Sequence, residues 1–244
     1  MSLEARDLAM SRAFERRSSL APSPPPEPQL LDTCVIQNLD WVDRKLEESS
    51  VVSWGDTAIS ALSKRYGNEL ADDLLNLGTL YKEFEYRGGY PWVLCHYSLI
   101  EARRFKGFRL KRLESLNRFF SGFLEELPCD GYPGVAVGLL RAHNLNLVSP
   151  VLLKGAGIDR AEDMFLPDGP LSFLPDYGDR VIAGHAIFAN VPAILTTDRT
   201  TFWNHRQRLA EFGVRVMRPT ELLSMYETYW AALEKGAVGS RANA

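Results

Sequence analysis

The chain has 244 residues, of which 45% are hydrophobic, with a net charge of -3 and a pI near 5.9. That is enough to bury one substantial core without a second domain, and it excludes a chain coated in basic residues while leaving a local basic cluster open. The three cysteines, Cys34, Cys95 and Cys129, form no Cys-x-x-Cys pair and no even disulfide framework, which points to a reducing compartment.

Residues 1–20 lack the continuous apolar stretch of a signal peptide, and the mainly apolar stretch 181–195 is too short to span a bilayer and is interrupted by His185, Asn190 and Pro192. A cytoplasmic protein with no membrane association is expected. Residues 3–16 suggest a short amphipathic helix through Leu3, Leu8 and Phe14, followed by a Pro-dense, extended segment at 21–28. Together, residues 1–28 read as a tail and linker, 29–235 as a single domain, and 236–244 as a C-terminal tail.

Within the domain, residues 30–36 are predicted as the first strand. A helical insertion of about 41–86 follows, carried by the spacing of Ile59, Leu62, Tyr66 and Leu70 and then of Leu74, Leu77, Tyr81 and Phe84. The breaker cluster 87–91 precedes a second buried strand at 92–96, a helix from Ser98, and a further helical stretch at about 109–127. Residues of about 128–175 are rich in Gly and Pro and read as an irregular insertion. From there the chain alternates: helix 179–189, strand 193–196, helix 200–212, strand 214–217 and a last helix opening at Pro219. The expected fold is α/β, a three-layer doubly wound domain around a central, mainly parallel sheet.

Asp32, Glu101, Asp179 and Asp198 fall at predicted strand ends and helix starts. In an open parallel sheet such positions converge on one crevice, where several carboxylates stay ionised only if a cation neutralises them. Oxygen-only ligands suit Mg2+ or Mn2+ and hence phosphate chemistry. Each acid also has a structural explanation. Asp32 and Asp179 suit helix N-termini, Asp198 suits a turn, Asp176 lies close enough to substitute for Asp179, and Ser98 with Glu101 matches a capping box. Thr33, Thr196 and Thr197 are the neutral donors nearest these acids. His185 reads as a core residue, and Cys34 as a small apolar side chain in a strand.

Several of these segments resemble the PIN-domain family of metal-dependent ribonucleases. Leu31-Asp32-Thr33-Cys34-Val35-Ile36 is similar to the family's opening strand, and Gly178-Asp179-Arg180-Val181-Ile182-Ala183 to its third signature. Thr196-Thr197-Asp198 with Phe202 resembles the fourth, residues 213–223 the closing strand and helix, and Glu101 best meets the second. The resemblance implies a PIN-like fold and an endoribonuclease in which Asp32, Glu101, Asp179 and Asp198 hold one or two Mg2+ or Mn2+ ions, supported by Thr33, Thr196, Thr197 and Asp176. It also implies single-stranded RNA as substrate, a toxin role with an antitoxin partner, and a homodimer.

The basic run that includes Arg103, Arg104, Lys106, Arg109, Lys111 and Arg112 follows Glu101, and with Arg199 and Arg206 it reads as an RNA lining, against the plainer reading of a solvated helix face. A haloacid-dehalogenase-type phosphatase is disfavoured because Cys34 stands where its second Asp belongs. The remaining alternative is a catalytically inactive RNA-binding or protein-interaction module of the same fold.

Overall fold

The computed structural model describes residues 26–48, 56–87, 91–104, 139–140 and 150–241. Five parallel strands form one sheet in the order β3-β2-β1-β4-β5. They are β1 (Gln29–Leu31), β2 (Trp92–Cys95), β3 (Leu139–Leu140), β4 (Ala193–Leu195) and β5 (Arg215–Met217). β1 is central, with Leu31 beside Leu94 on one flank and Leu195 on the other.

The strands are nearly continuous apolar runs because both faces of the sheet are covered. Successive side chains point to opposite faces. Leu31, Trp92, Leu94, Leu195 and Met217 pack in one core with Leu39, Leu77, Leu80, Phe84, Leu222 and Trp230. Leu30, Val93, Cys95, Ile194 and Val216 pack in the other with Phe165, Ile182, Ala186, Phe202 and Leu209. The architecture is α/β with three layers and a small all-parallel sheet.

The first face is covered by α1 (Thr33–Glu48), α3 (Asn68–Arg87) and α8 (Pro219–Arg241), while α2 (Asp56–Tyr66) packs on α3 through Leu62, Ala71 and Leu74. Phe84 sets its edge against Trp92 at 5.1 Å and Tyr226 at 4.8 Å, so one aromatic cluster joins α3, β2 and α8. α4 (His96–Arg103) packs against α1 and α6, and α5 (Pro150–Gly155) precedes a 3-10 turn at Ala161–Phe165. The second face is covered by that turn, α6 (Tyr177–Phe188) and α7 (Arg206–Glu211).

Three boundaries differ from the sequence expectation. The first strand stops at Leu31 and the β-branched stretch that follows is helical, because Val35, Ile36, Leu39 and Val42 are all buried at helical spacing on one face of α1. Packing overrides the strand propensity of Val and Ile here. The helix predicted over 200–212 is a series of turns up to His205, with α7 beginning only at Arg206. α8 extends through Arg241, into the expected tail. The predicted N-terminal helix, the Pro-rich segment up to residue 25, the stretch 109–127 and most of 128–149 lie outside the described residues, whereas 150–175 holds α5, the 3-10 turn and further turns.

Gly184 marks a tight contact on the second face: a Cβ built there would stand 2.3 Å from Cε1 of the buried Phe165 ring. Gly184→Ala is therefore expected to cost about 1–3 kcal/mol by overpacking. The drop in urea midpoint at unchanged m-value measures it, and a midpoint equal to wild type would refute the contact.

Candidate functional site

The chain runs outward from β1 to β3 and then returns to β4 on the other side of β1, so the strand order reverses between β1 and β4. Crevices at such a switch point, outside the carboxyl ends of the strands, are the usual ligand sites of open α/β sheets. Asp32 directly follows β1, Thr196, Thr197 and Asp198 directly follow β4, and Glu101 and Asp179 come from α4 and α6, which pack against each other.

Asp32 is buried, with a relative exposure of 4%. Its backbone carbonyl receives the Val35 and Ile36 N–H groups at 3.0 and 3.2 Å, opening α1. Oδ2 of its carboxylate accepts hydrogen bonds from Thr196 Oγ1 at 2.7 Å and Cys34 Sγ at 2.9 Å. Burial raises its pKa, partly offset by the Cys34, Thr196 and Thr33 hydrogen bonds, and the charge on Asp198 raises it further.

The threonines link the acids. Thr196 Oγ1 also accepts the Asp198 N–H at 2.9 Å, so one hydroxyl bridges Asp32 to the Asp198 backbone. Thr33 Oγ1 donates to Glu101 Oε2 at 2.8 Å, fastening the start of α1 to α4. Thr197 Oγ1 donates to Cys34 Sγ at 3.2 Å and accepts from Asn38 Nδ2 at 2.8 Å.

The capping box that is the alternative reading of Ser98 and Glu101 is not formed. α4 opens at His96, with Cys95 as its N-cap, so Ser98 lies within the helix and its hydroxyl donates to the Leu31 carbonyl at 3.4 Å. Glu101 is thereby free of capping and turns to Thr33. The cap at the start of α6 is Asp176, whose Oδ1 accepts the Gly178 N–H at 2.6 Å, which leaves Asp179 in the first turn. Gly178 is needed for this approach, since a Cβ there would lie 2.7 Å from Glu101 Oε1 and 2.8 Å from the Tyr97 ring.

Asp179 carries the site's electrostatic signature. Burial first, then the charges of Asp32, Asp176, Asp198 and Glu101, push its carboxyl up to about 7. Asp198 goes the other way: burial raises its pKa, but hydrogen bonds from Thr200 and Thr201 outweigh this and lower it. Both of its oxygens are engaged in that turn, Oδ1 with the Thr200 N–H and hydroxyl at 2.9 and 2.6 Å, and Oδ2 with the Thr201 N–H at 2.9 Å and the Thr201 hydroxyl. The turn reading of Asp198 is thus realised alongside its place at the crevice.

Among the described residues, no group of three or more His, Cys, Asp or Glu side chains is gathered tightly enough to hold a metal ion as it stands. The donor chemistry nevertheless fits a hard divalent cation. The donors are oxygens, and burial together with the neighbouring carboxylates pushes Asp179 up to about 7.

The basic residues are less gathered. Arg104 is exposed at the end of α4, Arg103 closes that helix, and Lys106, Arg109, Lys111 and Arg112 lie outside the described residues. Arg199 turns toward α3, where it pairs with Glu69 and approaches Asp73 at 3.9 Å. Arg206 is exposed, with its guanidinium 4.6 Å from the Trp203 ring centroid. His185 is a core residue as expected, buried and bonded through Nδ1 to the Val181 carbonyl at 2.7 Å.

Cys34 sits in the first turn of a helix rather than in a strand, and it is a hydrogen-bond donor to Asp32 rather than apolar filler. Burial and the neighbouring Asp32 charge raise its pKa well above the ordinary thiol value, which keeps it protonated and unsuited to nucleophilic attack. Sequence reasoning also missed Asn38, one turn after Cys34 on α1, and Tyr97, whose ring lies with Glu101 Oε1 against Gly178. The Asn38 spacing becomes informative only once residues 33–36 are recognised as helical. In comparisons with known proteins, no family model, curated protein or solved structure matches this chain, so the functional reading rests on the crevice and its carboxylates.

Proposed function

We propose that the chain is a Mg2+- or Mn2+-dependent endoribonuclease with a PIN-like fold. The observation that carries the proposal is that Thr196 joins Asp32 to the Asp198 backbone, Thr33 next to Asp32 bonds Glu101, and burial with the charges of these acids pushes Asp179 up to about 7.

Asp32, Glu101 and Asp179 would hold the cation, with Asp198 contributing through its remaining lone pairs or through water. When bound, a divalent ion supplies charge neutralisation, activation of water for in-line attack on phosphorus, and stabilisation of the leaving oxygen. The chain's own residues position these acids. Thr196 and Cys34 orient the Asp32 carboxylate, Thr33 orients Glu101, and the turn at Thr200 and Thr201 fixes Asp198. No side chain acts as nucleophile. Single-stranded RNA is the proposed substrate because a flexible backbone can bend into the crevice. The same resemblance extends the proposal to a cytoplasmic toxin that forms a homodimer and whose crevice an antitoxin would cover.

The test is incubation of wild type and Asp32→Asn protein with a mixed set of single-stranded RNAs, in Mg2+ or Mn2+ and in EDTA. Loss of even an indirect partner of a metal ligand commonly costs about 10- to 100-fold, so Asp32→Asn is expected to lose about 100-fold or more. Cleavage by wild type that EDTA abolishes supports the proposal. Cleavage that persists in Asp32→Asn or in EDTA would overturn it, and RNA binding without any cleavage would favour the inactive module.

A further inference from the structure

We propose that the exposed face of Tyr177, braced by Tyr97 at the rim of the crevice, is a stacking platform for one nucleobase of a single-stranded RNA. The identity of the strand rests on the ribonuclease reading; the platform rests on its own geometry.

Tyr177 is 54% exposed at the first position of α6, yet its ring is held from two directions. The Tyr97 ring meets it in a T-shaped contact with centroids 6.1 Å apart, and the Arg180 guanidinium carbon lies 5.8 Å from its centroid. Arg180 is itself buried and immobilised by bonds to the Phe165, Leu174 and Pro175 carbonyls at 2.8, 2.8 and 3.0 Å. Single exposed aromatics are common on protein surfaces. This one is unusual in being fixed in orientation without being covered.

Its position suits a nucleotide. Tyr177 follows the Asp176 cap and lies two residues before Asp179, while the Tyr97 ring and Glu101 Oε1 both lie against Gly178. The aromatic pair is thus placed beside Asp176 and Glu101, two of the acids around Asp179. The Arg104 charge acts on Tyr97 and lies exposed at the end of α4, available to a neighbouring phosphate. Every base offers a π-face, so such a platform favours RNA with bases while tolerating many sequences.

Binding of a labelled single strand of about ten nucleotides, and of a matched abasic strand, would be measured by fluorescence anisotropy in Ca2+, with strand integrity checked on a gel. Stacking is worth about 1–3 kcal/mol per base. Tyr177→Ala is therefore expected to weaken binding of the base-bearing strand by about 5- to 100-fold and to leave the abasic strand within about twofold, with Tyr177→Phe like wild type. Equal loss for both strands, no loss for either, or no binding of either strand by wild type would overturn the platform. Failure of the nuclease reading shows separately, as absence of EDTA-sensitive cleavage while the preference for bases survives.

Discussion

Asp179→Asn is expected to stabilise the metal-free protein at pH 8 while removing its cleavage activity. In the folded chain this carboxyl holds its proton up to about 7, against an ordinary value of 3.8. Between these values the folded state binds a proton that the unfolded state has released, so stability falls as pH rises through the window and stays reduced above it. The side chain is only partly buried, and solvent screening leaves about 1–2 kcal/mol of the nominal effect. Asparagine removes the repulsion with little change of shape. Thermal unfolding in EDTA should therefore favour Asp179→Asn at pH 8 and show little difference at pH ~3, where Asp179 is largely protonated in both states. Mg2+ should raise the wild-type midpoint and have less effect on the variant, since a ligand stabilises only the state that binds it. A variant less stable than wild type at pH 8 in EDTA would contradict the account. A more stable and inactive variant is the pattern of a site where function is kept at the expense of stability.

Asp73→Ala is expected to be strongly damaging although it lies away from the crevice, at about 2–4 kcal/mol. Asp73 is fully buried on α3. Its Oδ2 accepts from Arg218 Nε at 2.9 Å and Nη2 at 2.7 Å, and its Oδ1 accepts the Thr220 hydroxyl at 2.8 Å. Removing the carboxylate leaves the Arg218 guanidinium with a long bond to the Glu69 carbonyl at 3.2 Å and stacking 5.5 Å from the Trp203 centroid. An unpaired, largely buried charge is costly, whereas replacing both partners by apolar groups often is not. Asp73→Leu combined with Arg218→Met should therefore recover much of the loss. Urea unfolding measures both, and an Asp73→Ala midpoint matching wild type would refute the role. The cluster also reaches the site. Arg199, next to Asp198, joins Glu69 and Asp73, so loosening this anchor is expected to reduce cleavage modestly even where the protein stays folded.

The alternating C-terminal half was legible because its signals are local and agree with one another. Apolar runs of strand length, helical spacing and helix-start acids all point the same way from Asp179 to Leu223. Asp32, Asp179 and Asp198 were legible as candidates for the same reason, since each stands just after a strand or in the first turn of a helix, whereas Glu101 lies in the second half of α4. Boundaries within ambiguous stretches were not. Thr33 to Ile36 is β-prone by composition, and it is the burial of Val35, Ile36, Leu39 and Val42 against the sheet that makes it helical.

Local pattern also could not say which partner each polar group would choose. Ser98 and Glu101 match a capping box by spacing, yet the helix starts two residues earlier and Glu101 pairs with Thr33, which is 68 residues away in the chain. Cys34 reads as filler until the fold sets its thiol against Asp32, and Arg199 reads as an RNA contact until α3 offers it Glu69. Composition and periodicity specified the α/β class, the order of the main elements outside residues 128–175 and the places of Asp32, Asp179 and Asp198 beside them, because these follow from short-range sterics and alternating burial. The pairings that set each charge and orient each carboxylate depend on contacts between segments far apart in the chain, and they exist only once the sheet brings the ends of β1, β2 and β4 together.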